Sequence, residues 1–419
     1  SASAALRWLF LTKRTNPVTS EMQTLSTVLP SRYSEQELLG FLLATAAQNN
    51  QPVALWQLPG TTLTQLIISE QSIQLHRDEF LEELDAGFIF APFEKSANRY
   101  FLPADHLFTF AGGKYQPQAN PAEEASAQWL TDQLASYTVR QYKPANTTPP
   151  VTHDSSKDSF LELVAKGVQD IAKGTFEKIV PSRTRTIPLP EGFDVTESFQ
   201  KLRAAYPQAL ISFVNIPGVG SWIGASPEVL VSVQNKSIFK TVALAGTLPY
   251  TPGTDIKAVA WTQKEIEEQA LVERYVISCF KQVRLREYDE HGPKTVVAGN
   301  LMHLKSEFTV DMKATNFPQI GSVMLDLLHP TSAVCGMPLR PSLEFLRIHE
   351  SYDRRFYAGY LGPVNINNNI DLFVNLRCME IFGRQAVLYA GAGVTIDSNP
   401  ENEWSETEMK FNTLLNVVL

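Results

Sequence analysis

From residue 160 onward the chain reads as short strands separated by Pro and Gly turns, with helices set between blocks of strands and not after each one. A helix is expected over 160–174, with Leu161, Leu163, Val164, Val168 and Ile171 at helical spacing. Strands follow at 178–186, 210–215, 222–223, 228–233 and 237–242. A long helix is expected over 262–288, further strands at 370–380 and 386–390, and a closing helix from about residue 405. The regular βαβ rhythm of a parallel, doubly wound sheet is missing. The expected class is therefore α+β, with large mixed, mostly antiparallel sheets flanked by helices. Before residue 150 a helix is expected over 35–47, with Leu38, Leu39, Leu42 and Leu43 inward, and a strand over 65–68. The Pro-, Thr- and Asn-rich stretch 143–158 is the linker candidate, dividing the chain into 1–150, a variable half, and 156–419, a catalytic region, within one compact unit.

Composition excludes several classes of function. The 419 residues are 44% apolar, enough for a large core, and carry a net charge of −8. A nucleic-acid binder would need a basic surface, so no nucleic-acid partner is expected, and an anionic substrate has to be met by a few local cations. Cys279, Cys335 and Cys378 are too few for a disulfide framework and suit a cytoplasmic protein with reduced thiols. No apolar run is long enough for a membrane span. The apolar patch Leu6, Trp8, Leu9, Phe10 and Leu11 has most of its positive charge after it, the wrong order for a signal peptide, and the missing initial Met reads as processing or trimming.

Some carboxylates lie on faces that should be buried. In the long helix Glu265 and Glu268 share the stripe of Val272, Val276 and Cys279, while Glu267, Arg274 and Lys281 take the solvated side. In the closing helix Glu403, Glu406, Thr407, Lys410 and Leu414 share one stripe. A buried carboxylate needs a cation or a metal. The bland alternative for the first pair is a helix N-terminus, which favours acids anyway. Upstream of the second pair, Ala390, Gly391, Ala392 and Gly393 form a small-residue strand end where backbone N–H groups can approach an anion. Paired carboxylates from two helices suit an oxygen-ligated divalent ion, Mg²⁺ before others, and no Cys or His spacing suits zinc.

Several segments resemble the chorismate-utilising enzymes, a family of isochorismate, salicylate, anthranilate and aminodeoxychorismate synthases. They are FEKIVPSR (176–183), IGASPEVL (223–230), ALAGT (243–247), LLHPTSAVCGMP (327–338), YDRRFYAGYLGP (352–363) and YAGAGVTIDSNPENEWSETEMK (389–410). The resemblance covers about 156–419 and implies the anthranilate synthase-like fold. Lys178 stands where the water-using branches carry lysine, Ala245 where aminodeoxychorismate synthases carry a nucleophilic lysine, and Ala333 where anthranilate synthases carry threonine. These choices imply water as the nucleophile, and the EWSET of 403–407, with Trp404, and the YDR of 352–354 resemble isochorismate synthases, which implies a Mg²⁺-dependent isochorismate synthase. Salicylate synthase is the first alternative, and the synthase half of an anthranilate-type amidotransferase or a silent scaffold the others. Gln269 departs from the Glu-His pair common at this point of the family.

The resemblance also implies roles. Lys178 would be the base that activates water and Glu228 the acid at C4, which requires a raised carboxyl pKa. Taken singly, Lys178 reads as a strand-edge lysine and Glu228 as a cross-strand ion-pair partner. His303 matches an active-site histidine near C4, or is a satisfied core residue. Glu268 and Glu406 would hold Mg²⁺, with Glu265 and Glu403 in an outer shell. Arg377 would bind the enolpyruvyl carboxylate, helped by Gly391, Gly393 and Lys410. Gly246 and Thr247 would contact the ring carboxylate, and Ala333 and Tyr389 the substrate or the pocket wall. Chorismate is the expected partner, with no membrane and no glutaminase subunit, and a monomer is expected. The product would feed menaquinone before a catechol siderophore.

Overall fold

The computed structural model describes residues 32–117, 121–135, 142, 154–298 and 301–418. Most of the linker candidate and the apolar N-terminal patch lie outside these. Two nine-stranded sheets dominate, and every strand pair described is antiparallel. In spatial order the first sheet runs Lys114–Tyr115, His106–Ala111, Thr64–Ile68, Val53–Gln57, Leu210–Ile216, Gly220–Ser226, Cys378–Phe382, Gln385–Gly391 and Ser182–Pro188. The second runs Asp289–Ala298, Leu301–Asp311, Ile238–Pro249, Val229–Gln234, Asn369–Val374, Tyr360–Ile366, Gly87–Ala91, Arg99–Pro103 and Ile73–Leu75. The expected α+β class with antiparallel sheets is the observed one. Strands from before residue 118 sit inside both sheets.

Period-two alternation explains the layering. Along Val53–Gln57, Ala54 and Trp56 join the core between the sheets, whereas Val53 and Leu55 face helices Glu35–Gln48 and Val195–Ala205. Both faces are covered, so this strand is buried at every position and its pattern is invisible to an alternation search. The inter-sheet core continues to the long helix Gln263–Gln282, where Val272, Val276, Cys279 and Phe280 are buried as the inward stripe requires.

Four expected boundaries need correction. The long helix stops at Gln282 and not at 288, because Arg284 is left-handed (φ 58°) and Leu285 N bonds back to Phe280 O. The closing helix begins at Pro400, with Asn399 Oδ1 accepting from Glu401 N (3.0 Å). This is an Asn cap followed by Pro at the first helical position. The strand expected over 178–186 is two pieces, since Pro181 has no N–H to continue a ladder: Lys178–Ile179 pairs with Gly336–Met337, and Ser182–Pro188 edges the first sheet. The strand expected over 370–380 is likewise two, Asn369–Val374 in the second sheet and Cys378–Phe382 in the first.

That last break positions the site. The chain crosses from the first sheet to the second at Pro227-Glu228 and returns at Asn375-Leu376-Arg377. The crossings lie side by side: Val374 N donates to Glu228 O (2.9 Å), Ala225 N to Arg377 O (3.0 Å), and Leu376 N to Ser226 Oγ (3.3 Å). Arg377 turns there with φ 49°.

Candidate active site

The seam between the sheets puts two opposed functional groups together. Glu228 is 4% exposed. Burial pushes its carboxyl up to about 7, against the opposing pull of the Lys178, Arg377 and Lys410 charges. Arg377 points into the same cavity with Nη1 buried and without a partner. Burial lowers its pKa, with nearby Tyr357 and Glu406 opposing. A buried guanidinium N–H left unpaired is costly, and a carboxylate is the group whose geometry satisfies it.

The cavity at the seam is about 70 Å³. Glu228, Glu268, His303, Arg377, Glu406 and Lys410 supply its polar lining. Gly246, Thr247, Ala333, Tyr389, Gly391 and Gly393 supply the rest of the expected set. Lys178 is fully buried behind this wall, with Nζ 2.9 Å from Glu268 Oε1. Burial pushes the Glu268 carboxyl up, but the ammonium groups of Lys178, Lys410 and Lys264 outweigh it and the net shift is down. Glycine at 393 leaves room for this pair: a Cβ there would displace Glu268 Oε1 and lie 3.3 Å from Lys178 Cε.

The two helices meet this cavity from different directions. Glu268 comes from the first third of the long helix. Glu406 comes from the C-terminal helix and lies 2.6 Å from Lys410 Nζ, which also donates to Gly391 O at 2.7 Å. Of the two acids expected in an outer shell, Glu403 lies beside Glu406. Glu265 does not line the cavity: its Oε2 accepts from Thr262 N (3.0 Å) and caps the helix, the role the bland alternative gave it. Glu403 is buried, with Oε1 2.6 Å from Lys264 Nζ, and burial together with neighbouring Glu406 raises its pKa. Among the described residues no three His, Cys, Asp or Glu side chains form a ready metal cage. Two acids on a substrate cavity do fit Mg²⁺, which commonly takes one or two protein carboxylates and completes its shell with water and substrate oxygens.

His303 is set by its neighbours. Its Nδ1 lies 2.7 Å from Gly246 O, and a carbonyl only accepts, so Nδ1 carries the hydrogen. Burial, helped by the Arg377 charge, pushes the imidazole down to about 3, so the ring is neutral. Nε2 is then a bare acceptor, buried and unpartnered. Gly246 is left-handed (φ 67°), at a bulge where pairing with Leu301–Asp311 slips. Gln269, the departure from the family pattern, is not in the cavity. Its Nε2 bonds to Ala243 O (3.2 Å) and Ser306 Oγ (3.3 Å), tying the helix to the second sheet.

Tyr357 is a lining residue that the sequence reading did not single out. Its ring stacks on Tyr389 (5.4 Å, 15°), which stacks in turn on Trp222 (5.3 Å, 23°). No periodicity in its segment marks which of the aromatic residues at 352, 356, 357 and 360 turns toward the site.

Comparison with known proteins gives a consistent outcome. Residues 104–419 match the family model described as a chorismate binding enzyme. The chain is 27% identical over 323 residues to the isochorismate synthase EntC of Escherichia coli, covering 76% of this chain and 79% of that one. It is 31% identical over 271 residues to the isochorismate synthase DhbC of Bacillus subtilis, covering 62% and 67%. The solved structure of MenF, the menaquinone-specific isochorismate synthase of Escherichia coli, superposes with a TM-score of 0.70 at 21% identity, covering 90% of this chain and 91% of that one, and so shares the fold.

Proposed function

This chain belongs to the chorismate-binding enzyme family, and we propose that it isomerises chorismate to isochorismate, with water added at C2 and the C4 hydroxyl expelled. The observation that carries the reading is one cavity holding a buried carboxyl, Glu228, raised to about 7, beside the half-buried Arg377, whose Nη1 is buried and unpartnered. Arg377 takes the enolpyruvyl carboxylate in this scheme. Lys178 removes a proton from the attacking water, and Glu228 gives its proton to the departing C4 oxygen as the ring double bonds shift. His303 Nε2 accepts a hydrogen bond from the C4 hydroxyl and holds its lone pairs toward Glu228. With alanine at 245, no lysine stands at that point of the cavity wall to compete with water as nucleophile.

Mg²⁺ bound by Glu268 and Glu406 would neutralise the ring carboxylate and draw Glu268 away from Lys178. A cavity of about 70 Å³ is small for a ring carrying two carboxylates. Room comes from re-aiming Lys410 and Glu406, whose side chains are 17% and 19% exposed. The test is product analysis with chorismate and Mg²⁺, followed by EDTA. Isochorismate formed with Mg²⁺, lost with EDTA and restored by excess Mg²⁺ is the expected result. Fluorescent salicylate would assign the alternative reaction, an ammonia-dependent aminated product would assign an amidotransferase half, and no turnover would leave a silent scaffold.

A further inference from the structure

A cavity larger than the one at the seam lies elsewhere in the described residues. It measures about 410 Å³ and lies where residues 77–99 meet the end of the long helix and helix Ile320–Leu328. Its volume falls in the range of about 300–1,000 Å³ usual for small-molecule sites. Phe80, Val283, Val323, Leu325 and Tyr360 give it apolar walls, and Phe80 stays 39% exposed at this surface.

Its charges do not balance. Three cations, Arg77, Lys95 and Arg99, line it, with three acids, Glu79, Glu94 and Asp326. Glu94 is taken by Arg347 from outside the lining (2.9 Å). Asp326 is shared by Arg77 and Lys95, the latter at 3.7 Å. Glu79 Oε1 accepts from His76 N at 2.6 Å. Arg99 has no acid partner among the described residues. It bonds to His76 O, reaches Tyr360 Oη at 3.5 Å, and leaves Nε buried and unpartnered. Three cations thus face two available acids, and one guanidinium N–H has nothing to donate to.

We propose that this cavity is a second small-molecule site, built for an organic monocarboxylate on an apolar or aromatic body, and that its occupancy alters turnover in the first cavity. A single carboxylate cancels the surplus charge and satisfies Arg99, while the body of the ligand covers Phe80 and Val323. Two walls lead to the other site. Val283 caps the helix that carries Glu268. Leu327 and His329 open the segment that brings Ala333 and Val334 to the first cavity, and Tyr275 Oη of that helix holds Leu327 O at 2.8 Å.

The test uses the full chain and benzoate as probe, with benzyl alcohol and inorganic phosphate as controls, by isothermal titration. Saturable one-site binding of benzoate is expected. Both controls should bind more weakly by about tenfold or more, the loss expected when a charge-assisted bond or the apolar contact is removed. Arg99→Gln should weaken benzoate by a similar factor. Val323→Trp, which fills the cavity without touching a charge, should abolish binding in a chain that still melts cooperatively. With chorismate turnover as readout, benzoate should change kcat in the parent and not in Val323→Trp. Absence of binding, or binding untouched by both substitutions, overturns the site. Pure competition with chorismate, unaffected by Arg99→Gln, places benzoate in the first cavity and also overturns it. Binding with unchanged turnover overturns the coupling. The titration arms do not depend on which reaction the first cavity performs.

Discussion

Replacing Glu228 by Gln separates the acid role from the shape of the site, because the amide keeps the volume and cannot deliver a proton. Burial raises the carboxyl from its ordinary 4.5 to about 7, and each pKa unit is worth about 1.4 kcal/mol, so the shift amounts to about 3 kcal/mol. The sign follows from which state holds the proton. Below pH 4.5 both folded and unfolded chains are protonated and the parent has its full stability. Between 4.5 and about 7 only the folded chain keeps the proton, so stability falls as pH rises, and by pH 8 the order of 3 kcal/mol has been lost. Glu228→Gln should remove this slope. Its melting temperature should gain on the parent's as pH is raised from 5 to 8. In activity, the parent's kcat should decline above about 7 as the acid ionises, and the variant should lose about 10²–10⁴-fold with that limb gone. Melting curves by scanning calorimetry and pH–rate profiles on the same preparations provide both readouts. A variant that turns over normally, or that keeps the parent's limb near 7, would refute the assignment of the proton to Glu228.

Lys178→Ala should lose at least about 10²-fold in turnover while chorismate binding by calorimetry changes little, and near-normal turnover would remove Lys178 from the mechanism. Arg377→Lys keeps the charge but not the fork, so the KM for chorismate should rise about tenfold or more with a smaller change in kcat. An unchanged KM would take the carboxylate away from Arg377. Gly393→Ala places a methyl against Glu268 Oε1. The Mg²⁺ concentration giving half-maximal turnover should rise with the fold intact by circular dichroism, and an unshifted Mg²⁺ dependence would show that Glu268 does not hold the ion.

Much of the site was legible because its side chains violate the pattern around them. Glu268 is an acid on a stripe of Val272, Val276 and Cys279, and it is where the stripe puts it, turned to the cavity. Glu265, one turn earlier on the same stripe, obeys a different rule, since a helix start has unpaired N–H groups that an acid satisfies locally. Periodicity alone does not separate these two cases. The crossing at Asn375-Leu376-Arg377 was hidden for another reason. The run 370–380 alternates only briefly, at Ile370, Asp371 and Leu372, and is then buried at Phe373 and Val374 and again from Cys378 to Phe382, so no pattern marks the change of sheet, and nothing in the sequence announces a left-handed arginine. Pro181 was the visible signal for the break near Lys178, and Asn399-Pro400 for the earlier start of the last helix.

The seam explains why residues so far apart in sequence meet. A strand that stays in one sheet has its backbone groups paired and its side chains committed to two faces. At a crossing the ladder is interrupted, and the residue between sheets is free to aim its side chain along the gap. Two such crossings run side by side here, and they deliver one acid and one guanidinium to the same few ångströms of space. Three acids, Glu228, Glu268 and Glu406, and two cations, Arg377 and Lys410, line the cavity, with Lys178 directly behind. With Glu228 protonated and Lys178 the neutral amine that a base must be, Glu268 and Glu406 face Arg377 and Lys410, two charges against two. A dianion arriving alone would leave that balance at −2, whereas a dianion together with a divalent cation keeps it at zero. The site's own charge balance, more than any single ligand, is what makes an anionic substrate and Mg²⁺ natural joint occupants.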